Sequence, residues 1–381
     1  MRRQNLSLVL GTVGAQGPLS RADVAARTGL TRAAVSSLVD ELQANGLIEE
    51  HEATPSGRVG RPGRGLVVSD HGPAGLGLEV GVGHLGVCLV DLRGEVRAWR
   101  QVEADNQHRS PERVLADLAE LVGATSADGL RPVGAVLAVP GLLADAPGTV
   151  AHAPNLGWHD VDLAELWARS APPGTPALSL ENEANLGALA ELWENPEARD
   201  FVHVSAEAGI GAALVIDGRL FRGARGWAGE LGHVPVRPDG PHCACGARGC
   251  LEQYAGEAAV LRAAGIETDG RDGVPQLLER AERSEPRALE ALRTAGEALG
   301  IALTGAVHLV DPQALVLGGA YAELAPWLLP AMRAELTARV AVRPWSADAL
   351  TASALGRRGP LLGAARLTVR RILADPIGVL G

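Results

Sequence analysis

Gly77-Leu78-Glu79-Val80-Gly81-Val82-Gly83-His84-Leu85-Gly86-Val87-Cys88-Leu89-Val90-Asp91 reads as two apolar strands joined by a glycine-rich turn. Such turns bring backbone N–H groups close to whatever lies across them, phosphates included. A second unit of the same texture stands about 130 residues on, at Gly209-Ile210-Gly211-Ala212-Ala213-Leu214-Val215-Ile216-Asp217-Gly218-Arg219. Two such hairpins suggest an internal duplication. Leu315-Val316-Leu317-Gly318-Gly319 adds a buried strand ending in paired glycines. It reads either as the lining of an adenosine pocket or as a plain strand-to-helix turn.

Upstream of residue 70 the pattern changes. Ser20-Arg21-Ala22-Asp23 has the form of a capped helix start, and Gly29 stops that helix. Thr31 caps the next one, where Val35, Leu38, Val39 and Leu42 fall at i, i+3, i+4 and i+7. Asn45-Gly46 ends it. Two short helices joined by a tight glycine turn make a helix-turn-helix. The face opposite the stripe offers Arg32, Ala33, Ser36 and Ser37, small or hydrogen-bonding residues suited to a major groove. Leu47-Ile48-Glu49-Glu50 and Gly65-Leu66-Val67-Val68-Ser69 read as a hairpin. Its Gly/Pro-rich loop carries Arg58, Arg61 and Arg64. That loop is expected to be a DNA wing, its arginines entering the minor groove or holding phosphates. A solvated hairpin tip is the competing reading.

The chain has 381 residues, 46% of them hydrophobic and 21% charged, which suits a globular protein of two or three domains. No run is long and apolar enough to span a membrane. Met1-Arg2-Arg3 before an apolar stretch at 6–15 resembles a short secretory signal. Asn5, Ser7 and Thr12 interrupt it, however, and the helix-turn-helix follows directly, so an amphipathic helix and a cytoplasmic location are expected. The net charge is -10, yet residues 1–68 carry eight Arg and six Asp or Glu, a local +2 that leaves about -12 for the rest. A basic head on an acidic body suits a small DNA-binding module attached to something else.

Three of the four cysteines crowd together in Cys243-Ala244-Cys245-Gly246-Ala247-Arg248-Gly249-Cys250, shortly after Gly229-Glu230-Leu231-Gly232-His233. One imidazole and three thiolates, His233, Cys243, Cys245 and Cys250, make a closed tetrahedral set for a structural zinc ion. A redox role for the thiols is the alternative. Zinc would order a loop too rich in glycine and proline to pack by itself. Cys88, alone in its apolar strand, reads as a small buried hydrophobe.

This arrangement of His233 and the cysteines resembles the ROK family (repressors, open reading frames and kinases). Val139-Pro140-Gly141, Pro154-Asn155-Leu156-Gly157-Trp158, Glu181-Asn182-Glu183-Ala184-Asn185 and residues 223–233 resemble it too. The resemblance covers nearly the whole chain, and the winged head is similar to the regulator branch. It implies an α/β protein: an N-terminal winged helix-turn-helix, then a two-lobed actin-like ATPase or sugar-kinase (ribonuclease H-like) domain. The expected divisions are 1–70 for the head and 71–182 for the first lobe, with a C-terminal helix at 366–381 packing back on it. Residues 183–365 would form the second lobe, with the zinc motif and an oligomerisation surface.

The resemblance further implies a sugar site at Asn182, Glu183, Glu230, His233 and Glu252. It departs from the kinases where catalysis would occur. Glu183 stands where they carry an aspartate base, and a shift near 1 Å can cost on the order of 100-fold. Val82 would crowd the first phosphate turn, Gly83 lacks a hydroxyl, and Glu207 before Gly209 would repel phosphate. No catalytic residue is therefore expected. The expectation is a homodimeric or homotetrameric repressor that holds operator DNA through Thr31, Arg32, Ser36, Ser37, Arg58, Arg61 and Arg64 and answers to a sugar. An ATP-dependent hexose kinase with an attached head, or a repressor governed by a protein partner, are the rivals.

Overall fold

The computed structural model describes residues 1–52, 64–207, 209–267 and 273–379. The head contains α1 (Arg2–Gln16), α2 (Arg21–Thr28), α3 (Arg32–Ala44) and the antiparallel pair β1 (Ile48–Glu52) and β2 (Arg64–Val68). Its local signals work as their chemistry dictates. Ser20 and Asp23 form a reciprocal capping box, Gly29 ends α2 with φ 71°, and the Thr31 hydroxyl accepts from the Ala34 N–H. Val35, Leu38, Val39 and Leu42 are buried against Leu6, Val9, Leu10 and Val13 of α1.

The first lobe follows as β3 (Gly72–Val80), β4 (His84–Asp91), β5 (Val96–Glu103), α4 (Pro111–Gly123), β6 (Leu130–Val139), β7 (Leu142–Leu143), β8 (Thr149–Ala153), β9 (Trp158–Asp162), α5 (Leu163–Ser170) and β10 (Leu178–Asn182). After α6 (Glu183–Glu194) come β11 (Phe201–Ala206), β12 (Ile210–Ile216) and β13 (Arg219–Phe221). The zinc-motif loop leads into α7 (Glu252–Ala255) and α8 (Glu257–Ala264). Then follow α9 (Gly273–Glu282), α10 (Pro286–Val310), β14 (Ala314–Gly319), α11 (Ala320–Arg339), β15 (Leu350–Ala352) and α12 (Gly359–Ala374).

Two five-stranded sheets, ordered β10-β6-β3-β4-β5 and β15-β14-β11-β12-β13, share one topology. In each, the first strand pairs antiparallel with the next, and that one with the third. On its other side the first strand runs parallel to two later strands. The duplication is therefore real, but its halves align one strand further along than the glycines suggest. Gly209 matches the Gly81–Gly83 turn and not Gly77, because β11 (Phe-Val-His-Val-Ser-Ala) contains no glycine to announce it. β7, β8 and β9 make a small separate sheet.

The last helix starts at Gly359, with Pro360 in its first turn, seven residues before the expected 366. It lies directly on β3. A Cβ on Gly77 would stand 2.6 Å from the Ala365 nitrogen, and one on Gly75 2.5 Å from the Ala365 oxygen. Its other side reaches the head. Leu361, Leu362, Ala365, Val369 and Ile372 share one core with Leu6, Val9, Leu10 and Val13, and with Cys88 and Val90 of β4. Arg3 pairs with Asp375, the Ser7 hydroxyl donates to the Ala374 carbonyl, and the Arg93 guanidinium donates to the Val68 carbonyl at 2.8 Å. Head and body are thus packed as one unit at this seam. An open groove of about 1250 Å³ runs alongside it, past Gly14, Arg93, Trp193 and Arg370.

Candidate functional site

The zinc-motif loop is built on turns. Cys243 N–H donates to Ala247 O at 2.9 Å, Gly246 N–H donates back to Cys243 O at 3.0 Å, and Gly246 takes φ 92°. Backbone bridges pair Pro235 with Cys250 and His242 with Arg248. These turns bring His233, Cys243, Cys245 and Cys250 together, with their ligand atoms all within 4.8 Å of one another. His233 Nδ1 lies 3.8 Å from Cys243 Sγ, and Cys245 Sγ lies 3.7 Å from Cys250 Sγ. A tetrahedron with zinc–sulfur bonds near 2.3 Å has sulfur–sulfur edges of about 3.8 Å, so the four residues fit that ion. The other ring nitrogen of His233, Nε2, faces the Glu230 carboxylate at 3.9 Å.

Of the expected sugar residues, Asn182 and Glu230 share the lining of one cavity, and Glu183, His233 and Glu252 lie outside that lining. The cavity, of about 210 Å³, is also lined by Gly141, Arg222, Arg225 and Trp227. Asn182 also caps α6: its oxygen accepts from Ala184 and Asn185, and its amide donates to Gly141 O at 3.0 Å. One N–H of the amide is left for a ligand. Glu252, at the start of α7, accepts from Ile210 N–H at 3.3 Å. The space above Gly209 is bounded by Glu252 and by the Asn155 amide of the opposite lobe. Two further contacts cross the cleft. Arg222 grips the buried Glu181 carboxylate with two nitrogens, and Trp227 Nε1 donates to Leu143 O at 3.0 Å. Glu181 is therefore an internal ion-pair partner, and Asn185 donates to it as well.

The first glycine turn is covered, but not by Val82. That side chain packs into the first-lobe core. The His84 imidazole covers the turn, so that a Cβ on Gly81 would meet its ring at 2.3 Å. His84 Nε2 faces the buried Glu79 Oε2 at 3.4 Å, and neither atom has a hydrogen bond among the described residues. Across the cleft, Glu207 pairs with Arg357 at 3.3 Å, and Arg357 also reaches Glu257 and Glu323. Burial, reinforced by the Glu207 and Glu79 carboxylates, pushes Glu183 up to about 8. Burial likewise lifts Glu207 to about 7, with Arg357 and His84 holding it back. Burial works against the charged form of His84, but the Glu79, Glu207 and Glu183 carboxylates outweigh it and carry the imidazole up to about 9.

These shifts give stability a direction with pH. Glu183, Glu207 and His84 all hold protons more tightly when folded. Their contribution is complete below the unfolded values of 4.5 for the carboxyls and 6.5 for the imidazole. It is lost as the pH rises through about 7, 8 and 9. His203 acts oppositely: burial pushes it down to about 4, so it costs stability as the pH falls below 6.5. The melting temperature is therefore expected to fall between pH 6.5 and 9. Glu183→Gln, neutral at every pH, should flatten that fall and raise the melting temperature at pH 8.5. Parallel pH profiles for the two proteins would refute the assignment.

On the head, Thr31, Arg32 and Ser37 are exposed along the start of α3. Ser36 is half-buried, and its carbonyl accepts from Arg21, which also pairs with Asp40 and Glu50. Arg64 opens β2, whereas Arg58 and Arg61 lie outside the described residues.

A family model described as the ROK family matches residues 75–371. The chain belongs to the ROK family. A MarR family model matches residues 7–61, so this ROK protein joins a helix-turn-helix head to the sugar-kinase-like, actin-type body. It is 30% identical over 379 residues to the xylose repressor of Bacillus subtilis (strain 168), covering 98% of this chain and 97% of that one. Among solved structures it resembles a ROK family transcriptional regulator described as a homolog of the E. coli MLC protein. The TM-score there is 0.79 at 25% identity, over 100% and 99% of the two chains. A ROK family glucokinase from Streptomyces griseus, solved with glucose and AMPPNP, matches 78% of this chain and 99% of its own at TM-score 0.67 and 26% identity. Among the described residues of this ROK chain, no helix is long and apolar enough to cross a membrane.

Proposed function

We propose that this ROK protein is a sugar-responsive DNA-binding regulator, a repressor in its default state, and not a sugar kinase. The observation that carries this is a helix-turn-helix head packed into the core of a two-lobed body, and the body's own side chains crowding the turns where a kinase would hold phosphate support it. His84 covers Gly81, and Arg357 ties Glu207 to Glu257 and Glu323. A carboxyl at Glu183 that keeps its proton to about pH 8 is mostly protonated at neutral pH, a poor state for a general base. The full-length likeness to a xylose repressor supports the same reading.

In this account Asn182, Glu183, Glu230, His233 and Glu252 meet sugar hydroxyls between the lobes. His233, Cys243, Cys245 and Cys250 hold a structural zinc ion, which supplies no chemistry beyond fixing the loop. His233 then orients its Nε2 edge toward the cleft beside Glu230. Thr31, Arg32, Ser36 and Ser37 face the major groove, with Arg58, Arg61 and Arg64 on the flanking minor groove or phosphates. Head, first lobe and second lobe divide near residues 70 and 182. A homodimer or homotetramer in the cytoplasm would set two heads on an inverted repeat. Sugar closes the lobes, and the shared core at α12 passes that movement to the head. Coupling requires that the sugar bind the two arrangements with different affinity.

Selection of binding sites by the purified full-length protein from a random duplex library tests this. Enrichment of two inverted half-sites, centred a whole number of helical turns apart, is expected. No enriched sequence would overturn the reading. A coupled phosphorylation assay over a hexose panel should give no turnover, and a rate above about 1 per second would restore the kinase.

A further inference from the structure

The charge on the cavity wall points to the class of ligand. The cavity of about 210 Å³ holds roughly seven waters at about 30 Å³ each, room for one sugar ring with a substituent. Two guanidinium groups line it. Arg222 is committed, both nitrogens engaged by the buried Glu181 carboxylate. Arg225 is not: it is exposed, has no carboxylate partner among the described residues, and lays its cation over the Trp227 ring, 5.8 Å from the centroid. The acid on the same wall, Glu230, faces His233 instead.

Two glycine turns shape the loop that presents Arg225. Ala228 N–H donates to Arg222 O at 3.1 Å, and Gly223 and Gly226 on either side of Arg225 take φ 71° and 79°. The Trp227 indole is anchored to Leu143 of the opposite lobe, and its remaining exposure, 41%, leaves an apolar face for a sugar ring. Neutral hydroxyls need no full cation beside them. A planar guanidinium at the mouth of a sugar-sized cavity offers the fork that carboxylate and phosphate oxygens match with two parallel hydrogen bonds.

We infer that the effector is an anionic monosaccharide, a sugar acid or a sugar phosphate, whose charged group is taken by Arg225 while its ring lies on Trp227. This rests on the reading of the cleft as a sugar site. Calorimetric titration of the full-length protein with matched probes tests it: glucose against glucuronate, gluconate and glucose 6-phosphate, and xylose against xylonate. At least one anionic probe should bind about tenfold or more tighter than its neutral parent. Whether a carboxylate or the phosphate wins identifies the charged group. In Arg225→Ala the affinity ratio should collapse to about one, and Arg225→Lys should keep part of it. Neutral parents binding as tightly as their anions, with a ratio Arg225→Ala leaves unchanged, would overturn the inference while the sugar site stands. No heat from any probe of either kind would overturn the sugar site itself, and this inference with it.

Discussion

Purified wild-type protein is expected to carry one zinc ion per chain, and Cys250→Ser protein to lose it and to unfold well below the wild type. Cys250 is the ligand most tightly built in: it is fully buried, bridges to Pro235, and stands two residues before Glu252, whose carboxylate holds Ile210 beside the Gly209 turn. A serine hydroxyl is a poor zinc ligand, and three remaining donors leave the loop half-clamped. The loss should exceed about 4 kcal/mol, the range in which removal of a metal site falls. Because the same loop sets His233 and Glu252, carbohydrate affinity should fall with the metal content. Elemental analysis, thermal melting and limited proteolysis across residues 234–250 measure the three effects. Full zinc content and an unchanged melting temperature in Cys250→Ser would remove the cluster from the account.

Gly77→Val is expected to be nearly as damaging, far from any ligand. A Cβ at this position would sit 2.6 Å from the Ala365 nitrogen, 2.7 Å from the Leu361 oxygen and 2.8 Å from the Ala365 side chain. Two of these are backbone atoms of α12, which cannot rotate away, so the helix must lift off β3. Overpacking of this kind costs about 1–3 kcal/mol, and more where backbone must move. The same helix carries Leu362, Val369 and Ile372 into the core of the head. The substitution should therefore speed amide exchange in α1 as well as lower the denaturant midpoint. Gly83→Ala is the control: a Cβ there meets nothing within 4 Å, and the change should stay within about 0.5 kcal/mol. Equal stability for the two variants would contradict the tight seating of α12.

How much of this could be read from sequence depends on the range of each signal. The caps at Ser20 and Thr31, the stop at Gly29 and the stripe from Val35 to Leu42 act within a turn or two of helix, and they were legible. So was the His233 cluster, since three cysteines in eight positions, seventeen residues or fewer from His233, have few other uses. The failures involve partners distant in sequence. Nothing local marks Glu181 as the ion-pair partner of Arg222, 41 residues away, or Arg357 as the group that closes on Glu207. Val82 lies within the first glycine turn and His84 directly after it. The bend of that turn, which sequence does not show, packs Val82 against the core and lays His84 over Gly81. The start of α12 is hidden because Gly359 and Pro360 look like a loop but act as a helix start. The same helix explains why the head is not a loosely tethered module: its core is completed by residues from the far end of the chain.

The claim on which the rest depends is that occupancy of the cleft changes the grip of the head on DNA through that common core. Fluorescence anisotropy of a duplex recovered by selection, titrated with full-length protein with and without a saturating carbohydrate, measures it directly. A shift of about fivefold or more in duplex affinity is expected, the usual lower bound for coupled sites. Identical duplex affinity with the cleft full and empty would contradict it.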